Sequence, residues 1–265
     1  MDHLMQEVER LADDYYKKYV SNKTSLMLAD VLADIIVQQG IEVIYVSIPK
    51  ADGEERRLNG MFFKHVNESV QPKIVINQLD TIRTQNFTLA HEWFHAILES
   101  EDMKKYAIQI QTKEEFERAG DYFSASILMN QEAFVSYFEI IRGRTLEYKV
   151  FKLADIFKVP YVSVVRRMSE LDLTKVSLLG SLTEQELAEL RYQQVGESVL
   201  DAPPKRIEFI QYQQLVRDKV VKGELSSLDV AKKLSHLNPK LAEEYFGKSV
   251  GEKDIDQLWN ELDGV

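Results

Sequence analysis

Residues 84–100 read TQNFTLAHEWFHAILES, and the fold of the chain turns on this stretch. Its composition is helical. An α-helix advances about 100° per residue, so His91 and His95, four apart, share one face about 6 Å apart, within reach of a single cation. Glu92 leaves the helix beside His91. There a carboxylate can hydrogen-bond a water on that cation without ligating it, as a general base must. The H-E-x-x-H string therefore predicts a two-histidine metal clip carrying its own base. The plainer reading, two helix histidines with a charged neighbour on a solvated face, is displaced only if the chain offers a third ligand.

Downstream, residues 113–129 form a second helical pattern, with Phe116, Tyr122, Phe123, Ile127 and Leu128 as apolar positions. Three carboxylates on it compete for the metal: Glu114, Glu117 and Asp121. Glu117 lies 22 residues past His95 and Asp121 follows one turn later. An antiparallel helix pair would set Glu117 opposite the histidines, with Asp121 placed to accept the second ring N–H of a histidine ligand. Spacing alone leaves the choice open. Tyr122, beside Asp121, could donate to an oxyanion, although a tyrosine packed between helices is the stronger expectation. Trp93 and Phe94 read as core residues by size and apolarity.

Upstream, Leu4, Val8, Leu11, Tyr15, Tyr16 and Tyr19 recur at helical spacing, and a second amphipathic helix runs from about 25 to 39, ended by Gly40. The period then shortens. Residues 41–46, 58–63 and 73–77 are β-branched or aromatic runs bounded by turn residues, which predict a small, mostly antiparallel sheet. Beyond the second motif, residues 131–141 are helical, and 150–173 read as two short helices around Val159-Pro160, the outline of a helix-turn-helix or winged helix. The Gly and Pro-Pro of residues 193–206 mark a linker. A helical pattern capped at Ser226-Ser227 and an acidic tail follow it. The expected architecture is α+β: a zincin-like metallopeptidase domain over 1–142, a helical, helix-turn-helix or winged-helix-like region over 143–192, a linker over 193–206 and a helical appendage over 207–265.

Composition narrows the chemistry. The 265 residues include no Cys, which removes Cys-ligated zinc and thiolate nucleophiles, so any metal is held by His and carboxylates. With 33 Lys+Arg against 43 Asp+Glu the formal charge is −10, which argues against direct DNA binding. The cluster Lys149, Lys152, Lys158, Arg166 and Arg167 accordingly reads as a solvated face rather than a phosphate site. His3, His65 and His236 have no ligand-spaced partners. No apolar run approaches 18 residues and the start lacks a secretory pattern, so a soluble, cytoplasmic protein is expected, with no membrane partner.

The combination Phe87-Thr88-Leu89-Ala90-His91-Glu92-x-x-His95, followed by Glu117-x-x-Gly120-Asp121-x-Phe123-Ser124-x-x-Ile127-Leu128-Met129, resembles the ImmA/IrrE-type zinc metallopeptidases. Their motifs read F-T-x-A-H-E-x-x-H and E-x-x-A-[ND]-x-F-A-x-x-L-L-M-P. The resemblance covers residues 25 to 135 and selects Glu117 as third ligand. It implies one zinc ion per chain on His91, His95 and Glu117, with Glu92 as base in peptide-bond hydrolysis. It also implies a substrate: a helix-turn-helix repressor of a phage, mobile element, stress response or toxin-antitoxin-like pair, inactivated by one cut. A non-cleaving, metal-stabilised anti-repressor of the same fold is the alternative expectation. This chain departs from the pattern at Phe94 (often Gly), Gly120 (Ala) and Asn130 (Pro). None of the three removes a ligand or the base.

Overall fold

The chain opens with α1 (His3–Tyr19) and α2 (Leu28–Gln38), followed by β1 (Glu42–Val46), β2 (Gly60–Phe63) and β3 (Lys73–Asn77). The computed structural model describes residues 3–20, 27–50, 53, 57–66, 70–100, 103, 105–175, 179–204, 208–235 and 238–252. The expected start of the second helix near 25, His236 and the acidic tail lie outside them. Next come α3 (Ile82–Leu98), α4 (Lys113–Leu128), α5 (Gln131–Ile140), α6 (Leu146–Phe157), α7 (Tyr161–Glu170) and α8 (Glu184–Val195). The chain continues through β4 (Glu208–Phe209), α9 (Ile210–Val221), α10 (Ser227–Leu234) and α11 (Pro239–Glu252). No helix among the described residues is long and apolar enough to cross a membrane.

The sheet is mixed: two of its three strand pairings are antiparallel, as expected, and the third is parallel. Its order is β2-β3-β1-β4, with β1 and β3 parallel from Glu42↔Lys73 to Val46↔Asn77, and β2 antiparallel to β3. The reason is the long connection between β1 and β2. It lets β2 turn back onto the far side of β3 and leaves the β1 edge beside β3 free to pair in the parallel sense. On the other side of β1, Ile44 and Tyr45 pair antiparallel with Phe209 and Glu208 of β4. Asn77, fully buried, ties the end of β3 to the strand connections: its Nδ2 donates to the carbonyls of Ile48 (2.7 Å) and Leu58 (2.8 Å). That bond fixes Leu58 and the start of β2 against the sheet.

Helix α3 is buried on nearly every side, with β2 and β3 against it and α2 and α4 packed around it. Its apolar positions therefore do not form a single stripe. Thr81 caps its start by accepting from the Thr84 N–H (3.2 Å), and Trp93 and Phe94 are fully buried, their rings against Phe123 of α4. Tyr15 of α1 meets Trp93 edge-on at 5.4 Å, which closes the core from the N-terminal side. One apolar core runs from Met5 to Leu187, across the expected boundary at 142, so α6, α7 and α8 share the interior of the sheet-bearing domain.

Within 143–192, α6 and α7 are joined by a tight turn in which Lys158 takes the left-handed conformation (φ 55°) before Val159-Pro160. No strand occurs among the described residues there, so a wing is not seen. The basic cluster is dispersed. Lys158 pairs with Asp30, Lys149 lies over the Phe138 ring, and Arg167 is enclosed between Glu9 and Glu170.

Helix α8 ends at Val195 with Gly196 as its cap, and the residues after it are pinned to the domain by Arg83 of α3, which is 1% exposed. The Arg83 guanidinium donates from Nε to Asp201 (2.6 Å), from Nη1 to the Ala154 carbonyl (2.6 Å), and from Nη2 to Asp155 and Ser198, and it lies over the Tyr161 ring. Residues 198–201 are therefore strapped to the domain rather than free. Beyond it, α9 packs on α2 and β1, with Gln214 donating to Asp34 (2.7 Å). Val216, Val230, Leu234 and Ala242 form a separate small core within α9 to α11.

Candidate metal centre

Helix α3 presents His91 and His95 one turn apart, with ring centroids 4.7 Å apart and the ring planes nearly perpendicular. Ligand atoms of His91, Glu92 and His95 lie within 4.8 Å of one another. Helix α4 crosses α3 and brings two of the three competing carboxylates to His91. Glu117 Oε2 lies 3.2 Å from His91 Nε2, and Asp121 Oδ1 lies 3.1 Å from His91 Nδ1. Glu114 stays on the exposed side of the first turn. Glu115 is taken up by the helix cap: Thr112 Oγ1 accepts its N–H (3.1 Å), and its carboxylate accepts the Thr112 and Gln111 N–H groups. This capping box fixes where α4 starts and so which side of it Glu117 and Asp121, one turn apart, present.

The protonation state of His95 suits metal binding. Burial and the charge of neighbouring His91 hold His95 down to about 4, so its imidazole is neutral near pH 7 and keeps a lone pair. Its ring stacks on Phe116 at 4.3 Å, and its buried Nδ1 has no hydrogen-bond partner among the described residues. Burial alone would pull His91 down as well. The hydrogen bond and charge of Asp121, with the charges of Glu92 and Glu117, outweigh it and raise His91 above its ordinary value. Burial likewise pushes Glu92 up, against the pull of His91 and of the Phe62 N–H of β2, which donates to the Glu92 carboxylate. A neutral imidazole, an orphaned ring nitrogen and converging carboxylates form a nitrogen and oxygen donor set that fits a divalent ion such as zinc.

Two glycines make the approach of these elements possible. A Cβ on Gly120 would stand 2.8 Å from Cε1 of His91, so the space an alanine would fill is occupied by the imidazole. A Cβ on Gly60 would meet Thr88 Cγ2 at 2.6 Å, so the close packing of β2 on α3 requires glycine there. The departure at Gly120 in the second motif was the sequence signal for the first of these contacts.

Tyr122 does not face the site. Successive residues of a helix diverge by about 100°, which turns Tyr122 away from Asp121 and toward α1, where its hydroxyl donates to Glu9 (3.0 Å). Burial raises its pKa further above the ordinary tyrosine value. Tyr122 is therefore not placed to donate to an oxyanion at this site. Asn77, Arg83 and Gly60, which position these elements, carry no sequence signature of their own.

A cleft of about 710 Å³ opens over the centre. Leu58 and Asn59 before β2 form one wall; Thr84, Phe87 and Thr88 of α3 form the floor; Val162, Ser163 and Arg166 of α7 face them. At the far end Arg57 is paired with Asp80, and Glu184 accepts the N–H groups of Tyr161 (3.1 Å) and Val162 (2.9 Å) at the start of α7.

A buried helix carrying two histidines and a glutamate, backed by a small sheet, faced by a carboxylate-bearing helix and open to a cleft, forms a candidate metal centre. Comparison with known families agrees. The Peptidase M78 family, the IrrE N-terminal-like domain, matches residues 37–169, and the chain belongs to that family. A comparison with curated proteins returned no match. Among solved structures a Mycobacterium tuberculosis transcriptional regulator is similar at 17% identity and a TM-score of 0.42, over 62% of this chain and 47% of that one. The chain thus spans about half the length of that regulator.

If Asp121 orients the His91 ring by accepting its Nδ1–H, Asp121→Asn should cost about 10 to 100-fold in zinc affinity or activity without abolishing binding. Titration of the metal-free variant with zinc measures this. A loss as complete as that of Glu117→Ala would instead make Asp121 a ligand.

Proposed function

We propose that this chain is a zinc-dependent peptidase that makes a specific cut in a helix-turn-helix repressor, with His91, His95 and Glu117 holding the zinc. The observation that carries the reading is the grouping of His91, Glu92 and the neutral His95 on one helix, with Glu117 against His91, where His91, Glu92 and Glu117 line an open cleft. When bound there, zinc would supply Lewis acidity, acidifying water and polarising a carbonyl.

The residues then divide the work. Asp121 holds the His91 imidazole in orientation, and burial keeps His95 neutral. Glu92 is positioned by the Phe62 N–H, and its raised pKa brings it nearer to neutrality, where a carboxylate is a better base. It takes the proton of the attacking water as oxygen adds to the scissile carbonyl carbon. When the C–N bond breaks, Glu92 returns that proton to the leaving nitrogen. Strand β2 lies at the sheet edge beside the cleft, and an extended peptide can pair with such an edge.

The repressor substrate follows from the family resemblance. The test is incubation of the zinc-loaded chain with a helix-turn-helix protein encoded beside its gene, read by mass spectrometry. One defined cut, lost on chelation, is expected. A tight complex with intact partner would instead favour the non-cleaving anti-repressor, and neither cut nor complex would contradict the substrate assignment.

A further inference from the structure

We propose that Arg166 is a catalytic residue of this cleft, donating its guanidinium N–H groups to the scissile carbonyl oxygen as that oxygen takes up negative charge. The inference rests on the peptidase reading. Tyr122, the donor suggested by its place beside Asp121, is bonded to Glu9 instead. Two arginines line the cleft, and they are in different states. Arg57 is closed into its pair with Asp80 and also donates to the Leu79 carbonyl at 3.1 Å. Arg166 projects from the side of α7 that also presents Val162 and Ser163 to the cleft, and its side chain is 63% exposed. Its ion partner on α4, Asp121 Oδ2, is 3.8 Å away, longer than a hydrogen bond.

The neighbouring arginine sharpens the contrast. Arg167, 1% exposed, is held between Glu9 and Glu170 and locks α7 onto α1. Glu170 also feels the charge of Arg166 from one turn along the helix. Of the consecutive pair, the second is committed to packing and the first is left facing the site. Asp121 joins Arg166 to the centre: Oδ1 meets His91 Nδ1 at 3.1 Å and Oδ2 faces the guanidinium. The cation is thus stationed one carboxylate away from the His91 ring, loosely enough to exchange Asp121 for a substrate oxygen.

Arginine suits that task because it stays charged and offers a planar fork of donors. During the step the carbonyl π pair moves onto oxygen as water adds, and the water proton goes to Glu92. The pair returns as the C–N bond breaks. Arg166 remains protonated throughout and only its N–H donation strengthens, so it stabilises the charged transition state more than the ground state.

The test uses the full zinc-loaded chain and two probes followed by calorimetry. Acetohydroxamate engages the metal alone. A phosphinic tripeptide, Phe-PO2-CH2-Ala-Leu, places a tetrahedral anion where the oxyanion would form. Arg166→Ala should weaken the phosphinic peptide by about 10² to 10³-fold, leave acetohydroxamate affinity and zinc content unchanged, and be partly rescued by Arg166→Lys. Unchanged phosphinate affinity would overturn the proposal. So would equal loss of both probes, which would make Arg166 a support for the metal centre through Asp121. If acetohydroxamate binds the parent chain but the phosphinic peptide does not, the cleft does not take a peptide transition state and the role of Arg166 falls. If neither probe binds the zinc-loaded parent, the peptidase reading itself is wrong.

Discussion

Glu92→Gln should retain zinc and lose cleavage by about 10² to 10⁴-fold, the range that a positioned general base contributes. The substitution preserves size and leaves His91, His95 and Glu117 untouched, and the amide oxygen can still accept the Phe62 N–H. What disappears is the ability to take a proton from water and return it to the leaving nitrogen. Because burial already disfavours the Glu92 carboxylate, a neutral amide there should not lower the thermal midpoint. Activity falling with an intact fold and full zinc content is therefore the expected signature. A normal rate would show that Glu92 is not the base, and an emptied site would show that it is a ligand.

The second large effect concerns the ligands. An ion that binds only the native state stabilises it in proportion to the logarithm of its excess over Kd, about 4 kcal/mol at a thousandfold excess. Adding zinc to the metal-free parent should accordingly raise its thermal midpoint by several degrees. His91→Ala, His95→Ala and Glu117→Ala should each remove most of that rise, because a centre with three protein ligands has none to spare. His95 is the most informative position: its ring is neutral, stacked on Phe116 and carries a buried nitrogen without a partner. Equal zinc-induced shifts in all four proteins would rule the centre out.

The sequence disclosed the site more fully than the sheet. His91, Glu92 and His95 depend on one helix and its period, so their juxtaposition is a local property that spacing can reveal. The third carboxylate is not local. Glu114, Glu117 and Asp121 look alike in a charged run, and only the paired motif singled out Glu117; the structure adds that Glu115 is consumed by the capping box and that Gly120 clears space for the His91 ring. Strand direction was less accessible, because three short apolar runs do not say which neighbours pair. The parallel β1–β3 ladder depends on the long connection that sends β2 to the outer edge, and β4 has only two residues, too few for any period. Arg83 illustrates a further limit. A charged residue early in a helix reads as surface, yet here it is buried because Asp155, Asp201 and Ser198 arrive from distant parts of the chain to receive its donors.

If two imidazoles and one carboxylate hold a zinc ion on α3 and α4, zinc K-edge X-ray absorption on the loaded chain should show a low-coordinate shell of nitrogen and oxygen at about 2.0–2.1 Å with the outer scattering of two imidazoles, of which one is lost in His95→Ala. A shell of oxygen alone, or imidazole scattering unchanged in His91→Ala and His95→Ala, would contradict it.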